Sequence, residues 1–182
     1  MNIKNTKVIV FILLLLLLVL PYRLFADVYI NEVEINPAEK RLIELYNSSS
    51  SSVDLTNWYI QRKTATGSTF GSLISKNYFE GKVIEPNGYF VISRSELGDS
   101  DLVFPNLTIT ESNSIQLKNS EQKVVHALSF GNVEGSMASN PTIGSSIQRS
   151  SSGVWSIGTP TPGEKNSGGD VEDSDEDTTN DS

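Results

Sequence analysis

The stretch from Val28 to Trp58 constrains the fold more than any other part of this chain. It reads Val28-Tyr-Ile-Asn-Glu-Val33, then Ile43-Glu-Leu-Tyr-Asn47, then a serine run from Ser48 to Ser52, then Val53-Asp-Leu-Thr-Asn-Trp58. Short runs rich in β-branched and aromatic residues, punctuated by turn residues, specify strands. The serine run is a turn or loop, and a further strand opens on the tryptophan. In the first run Ile30 is in phase with Glu32 and out of phase with Val33, so a β-bulge is expected there to bring Val33 back to the inner face.

The same grammar continues. Trp58-Tyr-Ile-Gln-Arg62 and Ser114-Ile-Gln-Leu-Lys118 alternate as half-buried antiparallel strands do, although Arg62 falls on the face of Trp58 and Ile60. Tyr89-Phe-Val-Ile92 is a continuous apolar run after Pro86-Asn-Gly88. It fits a strand covered on both faces or one near an aromatic-rich edge. Gln122 to Phe130 is another strand, ended by Gly131-Asn132, and Gly131 to Ser146 is a loop. No segment has helical periodicity beyond a single turn available to Leu73–Phe79 between Gly71 and Gly81. Many short strands with turns between them make a sandwich or a barrel.

Both ends differ from this body. Lys4 and Lys7 precede an unbroken apolar run of 13 residues, Val8 to Leu20, with Pro21 after it and Ala26 as a small residue for cleavage. A membrane span needs roughly 20 apolar residues, so residues 1–26 are expected to be a cleaved signal peptide. A retained anchor is the alternative, and no membrane span remains after cleavage. Thr159-Pro-Thr-Pro-Gly163 is expected to stop the fold, because Pro160 and Pro162 donate no ladder hydrogen bonds. Residues 167–182 carry seven acids and no base, with Val171 the one large apolar side chain, and are expected to be a disordered acidic tail. The folded domain is expected over residues 27–166.

Charge and cysteine content exclude several classes. The net charge of −8 is concentrated in the tail, and Asp27 to Gly163 holds 14 acids against 10 bases, a net −4. There is no basic stripe for a phosphate backbone, so no nucleic-acid partner is expected. The absence of cysteine removes disulfides, thiolate metal sites, a cysteine nucleophile and a lipoprotein anchor. Stability must come from a hydrophobic core, which about 140 residues can supply.

With these parts in place the chain resembles the lamin tail domain family, of the bacterial secreted type. The residues that carry the resemblance are Ile30-Asn-Glu-Val33, Leu42-Ile-Glu-Leu-Tyr-Asn47, Val53-Asp-Leu-Thr-Asn-Trp58, Ile84-Glu-Pro-Asn-Gly-Tyr-Phe-Val-Ile92, Asn113-Ser-Ile-Gln-Leu117, Ser146-Ile-Gln-Arg149 and the closing phrase Thr161-Pro-Gly-Glu-Lys-Asn166. No one of them is specific; their order and spacing are. The resemblance implies an all-β, immunoglobulin-like antiparallel β-sandwich and an accessory or tethering role, often beside secreted hydrolases or envelope proteins. It implies no catalytic residues. Trp58 is placed like the core tryptophan of an immunoglobulin sandwich. Two departures stand out: insertion-like sequence from Arg62 to Lys82, and His126 where relatives often carry an acid.

Glu32 and Glu44, each flanked by apolar residues in neighbouring strands, are a possible acid/base pair or cation site. With no third polar partner apparent, they are read as pointing outward or capping bulge amides. His126 is the single histidine, and without a Gly-x-Ser-x-Gly elbow or a cysteine it is read as a surface or half-buried strand residue. Asp173-Ser-Asp-Glu-Asp177 imitates a calcium loop but has Thr178 at the glycine position. Tyr22, Tyr29, Tyr46, Tyr59, Tyr78 and Tyr89 could include a ligand platform, though strand aromatics are more often core or cross-strand pairs. Asn47, Asn106 and Asn180 begin glycosylation sequons, which carry no meaning in a bacterial chain.

The expectation is therefore a non-enzymatic, extracytoplasmic structural or binding module with no catalytic, cofactor or metal residues. Its partner would be a protein, a glycan or an envelope component. The alternatives are a secreted hydrolase using Glu32 and Glu44, or an accessory module of a separately encoded hydrolase.

Overall fold

A computed structural model describes residues 28–167. The expected signal peptide of residues 1–26, with Tyr22, and the expected acidic tail after residue 167, with Asp173–Asp177 and Asn180, lie outside the described residues. Twelve strands follow in chain order: β1 (Val28–Glu34), β2 (Leu42–Asn47), β3 (Val53–Asp54), β4 (Tyr59–Thr64), β5 (Gly71–Ile74), β6 (Val83–Ile84), β7 (Tyr89–Ser93), β8 (Leu102–Val103), β9 (Asn113–Lys118), β10 (Val124–Phe130), β11 (Ser146–Arg149) and β12 (Trp155–Gly158). They form a six-stranded sheet in the order β12-β11-β1-β2-β7-β8, a four-stranded sheet in the order β10-β9-β4-β5, and the short pair β3-β6. All pairings are antiparallel except β7 with β8. The architecture is an all-β, immunoglobulin-like sandwich.

The bulge expected in the first strand is present. The β1–β2 register slips between Ile30 and Glu32, leaving Asn31 as the extra residue, and both Ile30 and Val33 are fully buried. Tyr89-Phe-Val-Ile92 forms β7 between β2 and β8, with Phe90, Val91 and Ile92 all buried, so this strand is covered on both faces. The Arg62–Lys82 segment supplies β5, the outer strand of the smaller sheet, and a single 3-10 turn, Lys76–Phe79. That turn drops Phe79 into the core beside Phe90, with ring centroids 6.2 Å apart. Arg62, out of place on its inner-facing register, is half-buried and turns its guanidinium onto the Thr108 carbonyl.

Side chains of both sheets meet in one cluster that includes Ile30, Val33, Leu45, Ile92, Ile115 and Phe130. Trp58 lies in that cluster, 5% exposed. It is delivered by a tight turn closed by its own amide on the Leu55 carbonyl at 2.8 Å. Asn57, at φ 66°, occupies the left-handed conformation that asparagine tolerates better than most residues. The serine run folds back on Asn47, which is fully buried. Its Nδ2 donates to the carbonyls of Ser51, Ile84 and Glu85, and its Oδ1 accepts from the amide and hydroxyl of Ser49. An asparagine committed in this way has no free amide for a sugar.

The strands end at Gly158, but the chain does not leave the domain there. Residues 159–166 run on across the outer face of the six-stranded sheet as an irregular strap, held by hydrogen bonds from Thr161, Gly163 and Asn166. The two prolines end strand pairing without ending the packed structure. Because the indole of Trp58 fills the space between the sheets, Trp58→Ala is expected to cost ~3–5 kcal/mol, the usual loss for a truncated core aromatic. Chemical denaturation of the two proteins checks this; a midpoint within error of the parent would place the indole outside the core.

Candidate functional site

Strand alternation sends Glu32, Glu44 and Gln148 away from the core, onto the outer face of the six-stranded sheet. Glu32 stands directly opposite Glu44 on one side and Gln148 on the other. Like charges set opposite each other on neighbouring strands are destabilising, and both glutamates are fully buried. A buried carboxylate needs a full set of donors. They come from the strap, from β11 and, for Glu44, from Asn31 of β1.

Glu32 accepts from the Ser146 hydroxyl and from Gln148 Nε2 at 3.2 Å. It also accepts from the Thr161 amide, at 3.1 Å on Oε1 and 3.2 Å on Oε2. The Thr161 hydroxyl lies 3.2 Å from Glu32 Oε2 and 3.1 Å from Asn166 Oδ1, donating to one at a time. Glu44 accepts from Asn31 Nδ2 at 2.7 Å and from the Gly163 amide at 2.6 Å. The bulge thus does a second job: the residue it extrudes, Asn31, caps the second carboxylate. Asn166 closes the strap by donating to the carbonyls of Asn31 and Arg149 at 3.1 and 2.9 Å. Gln148 is held in turn by the Thr159 carbonyl at 2.5 Å. Gly158 leaves room for this amide: a Cβ there would overlap the Gln148 amide oxygen, so Gln148 would have to shift away from its partners.

Burial pushes the Glu44 carboxyl up to about 8; its donors Asn31 and Gly163 oppose this, while Glu32 and Asp101 add to it. Glu34, also on β1, is pushed up to about 7, again by burial first, with Lys40 opposing and Glu32 adding. Its Oε1 is buried without a hydrogen-bond partner.

The sequence reading of Glu32 and Glu44 therefore needs correction. They do face outward from the sheet, but they are covered, and their polar partners are numerous. Those partners were invisible in sequence because all but Asn31 lie more than 100 residues away.

His126 is half-buried in β10, where its Nδ1 accepts the Ile30 amide at 3.2 Å. Its ring sits between Tyr29 and Trp155, at 5.8 and 6.1 Å. Burial, then the nearby Arg149 charge, lowers it to about 4. The tyrosines divide. Tyr59 lies under the Lys76 and Lys118 ammonium groups, and Tyr78 packs edge-on against Phe104. Tyr29, Tyr46 and Tyr89 form one cross-strand row beside a cleft at the end of the strap. Among the described residues no three His, Asp or Glu side chains come together as a metal site, and no helix is long and apolar enough to cross a membrane.

Residues 24–132 match the family model of the Lamin Tail Domain. The chain belongs to the lamin tail domain family. The family's domain is immunoglobulin-like and non-catalytic, in agreement with the sandwich. No curated protein matches the chain. The matched segment stops short of β11, β12 and the strap, yet β11 pairs with β1 and the strap covers it. In this lamin tail domain the far C-terminal residues complete the sheet that the first strand begins.

Two outcomes follow for the carboxylates. The folded pKa of Glu44 lies above its ordinary 4.5, so its contribution to stability is full below that value and is lost as pH rises through about 8. Glu34 acts in the same sense up to about 7. His126 acts oppositely, losing stability as pH falls from 6.5 through about 4. Between pH 6.5 and 8 only the glutamate effect remains, so the melting temperature is expected to fall there, and Glu44→Gln should flatten that slope. A parent curve that rises over this range would contradict the assignment. Separately, Glu32→Ala strands the Thr161 donors, and charge-assisted bonds contribute ~1.5–3 kcal/mol each. The loss should be at least about 3 kcal/mol, with the Thr161 and Gly163 amides becoming fast in hydrogen exchange.

Proposed function

We propose that this chain is a non-enzymatic structural or binding module working outside the cytoplasm, as an accessory or tethering domain of the cell envelope or exterior. The observation that carries the reading is the state of Glu32 and Glu44. Both are buried, and each accepts a backbone amide of the strap, Thr161 on Glu32 and Gly163 on Glu44. A glycosidic acid/base pair needs its carboxylates open to a substrate between them. These two face a backbone segment of their own chain.

Membership of a non-catalytic family supports the same reading, as do the export-type features of residues 1–26. The acidic residues after 167 suit a solubilising spacer.

The test uses the mature chain from Asp27, incubated with isolated envelope material and with polysaccharide substrates. Saturable co-sedimentation without release of reducing ends is the expected result. Release of reducing ends that Glu32→Gln or Glu44→Gln abolishes would replace this reading with the secreted hydrolase.

A further inference from the structure

The outer face of the large sheet carries a cleft at the end of the strap, beside the buried carboxylates. Tyr29 stands opposite Tyr46, and Tyr46 opposite Tyr89, across β1, β2 and β7. Their rings are tilted 49° and 46° with centroids 5.4 and 4.9 Å apart, and all three are half-buried. This row lines a cleft of about 170 Å³, together with Arg149 and with Lys165 and Asn166 of the strap.

The walls are fixed by contacts already described. The Arg149 guanidinium lies 4.1 Å from the Tyr29 ring centroid, which orients its planar fork. Lys165 is carried beside Asn166, whose amide ties the strap to β1 and β11. Two cations thus meet at one aromatic cleft in a body whose net charge is −4. Pockets for drug-sized ligands run to about 300–1,000 Å³. This smaller one suits a single ring of an extended chain.

We propose that the cleft binds a pyranose ring bearing a carboxylate, one unit of an acidic polysaccharide. Its apolar face lies on Tyr46 and Tyr89 and its carboxylate on Arg149 and Lys165. Each part of the site has a matching part in such a ligand. Tyrosine offers an apolar ring with a wet polar tip, and a guanidinium takes a carboxylate through two parallel hydrogen bonds. The Tyr89 hydroxyl, raised to about 12 chiefly by burial, stays protonated and donates to a sugar oxygen. A neutral sugar makes no use of the Arg149 fork, which the Tyr29 ring orients at the cleft, and a bare anion leaves the tyrosines unused. The proposal rests on the reading of the chain as a binding module and names its ligand.

The experiment titrates the mature chain with tri-galacturonate, with maltotriose and with inorganic phosphate at matched ionic strength, by calorimetry and by NMR. Tri-galacturonate should bind saturably and maltotriose should not. Arg149→Gln and Lys165→Ala should each weaken binding about tenfold or more, the loss expected for a hydrogen bond to a charged partner. Lys165 is exposed at the rim, and the melting temperature of its variant is measured beside the titration, so that a loss of binding in a folded protein reports on the site. Lys76→Ala, on the Tyr59 side, should leave binding unchanged. Absence of saturable binding at millimolar tri-galacturonate overturns the proposal. So does equal binding of maltotriose, displacement by phosphate alone, or parent affinity in both cation variants. Chromatography of the same mixtures separates the two readings. Cleaved trisaccharide would overturn the non-enzymatic function and leave the site standing, whereas intact, unbound trisaccharide would overturn the site and leave the function standing.

Discussion

The Glu32 carboxylate organises the outer half of this sandwich. It is buried on the face of the sheet where side chains ordinarily meet solvent. An unpaired charge there is too costly to keep, so the chain must bring donors to it. It does so from two directions: Ser146 and Gln148 along β11, and Thr161 from the strap. Once Thr161 is in place, Gly163 falls within reach of Glu44, and Asn166 reaches the backbone of both neighbouring strands. The path of residues 159–166 is thus dictated by the burial of these carboxylates. Little of it is apolar contact.

Much of the sandwich was legible in the sequence because the inner face obeys period-two alternation. Ile30 and Val33, out of phase, announced the bulge, and the structure has it. Phe90 to Ile92 announced a strand covered on both sides. Trp58 announced the core. The outer face was not legible, because its logic is polar and long-range. Glu32 has no local partner, and nothing near it in sequence says that a carboxylate in a strand will be covered. The phrases Ser146-Ile-Gln-Arg149 and Thr161-Pro-Gly-Glu-Lys-Asn166 stood out as parts of the resemblance. The prolines beside Thr161 pointed to an end of structure, and a strap with no ladder bonds has no periodicity to betray it. The cleft shares this obscurity, since Tyr29, Tyr46 and Tyr89 become neighbours only once β2 lies between β1 and β7.

The pairing of β1 with β11 also bears on how the sheet assembles. Glu32 and Gln148 are 116 residues apart in the chain, and contacts of such separation are slow to form because a long loop must close first. Until β11 arrives, β1 has one unpaired edge, the condition that invites strand exchange and aggregation. The strap covers the outer face of the same strands.

The latch joins the first strand of the domain to its final residues, and this has a mechanical consequence. Tension on the chain after Asn166 reaches the hydrogen bonds of Asn166, Gly163 and Thr161 before it reaches β12, the strand that precedes them. The strap would peel first, baring Glu32 and Glu44 to water while both sheets stay paired. A module that holds something in place would then have a fuse: an outer layer that yields under load, re-forms when the load is removed, and spares the hydrophobic core beneath it.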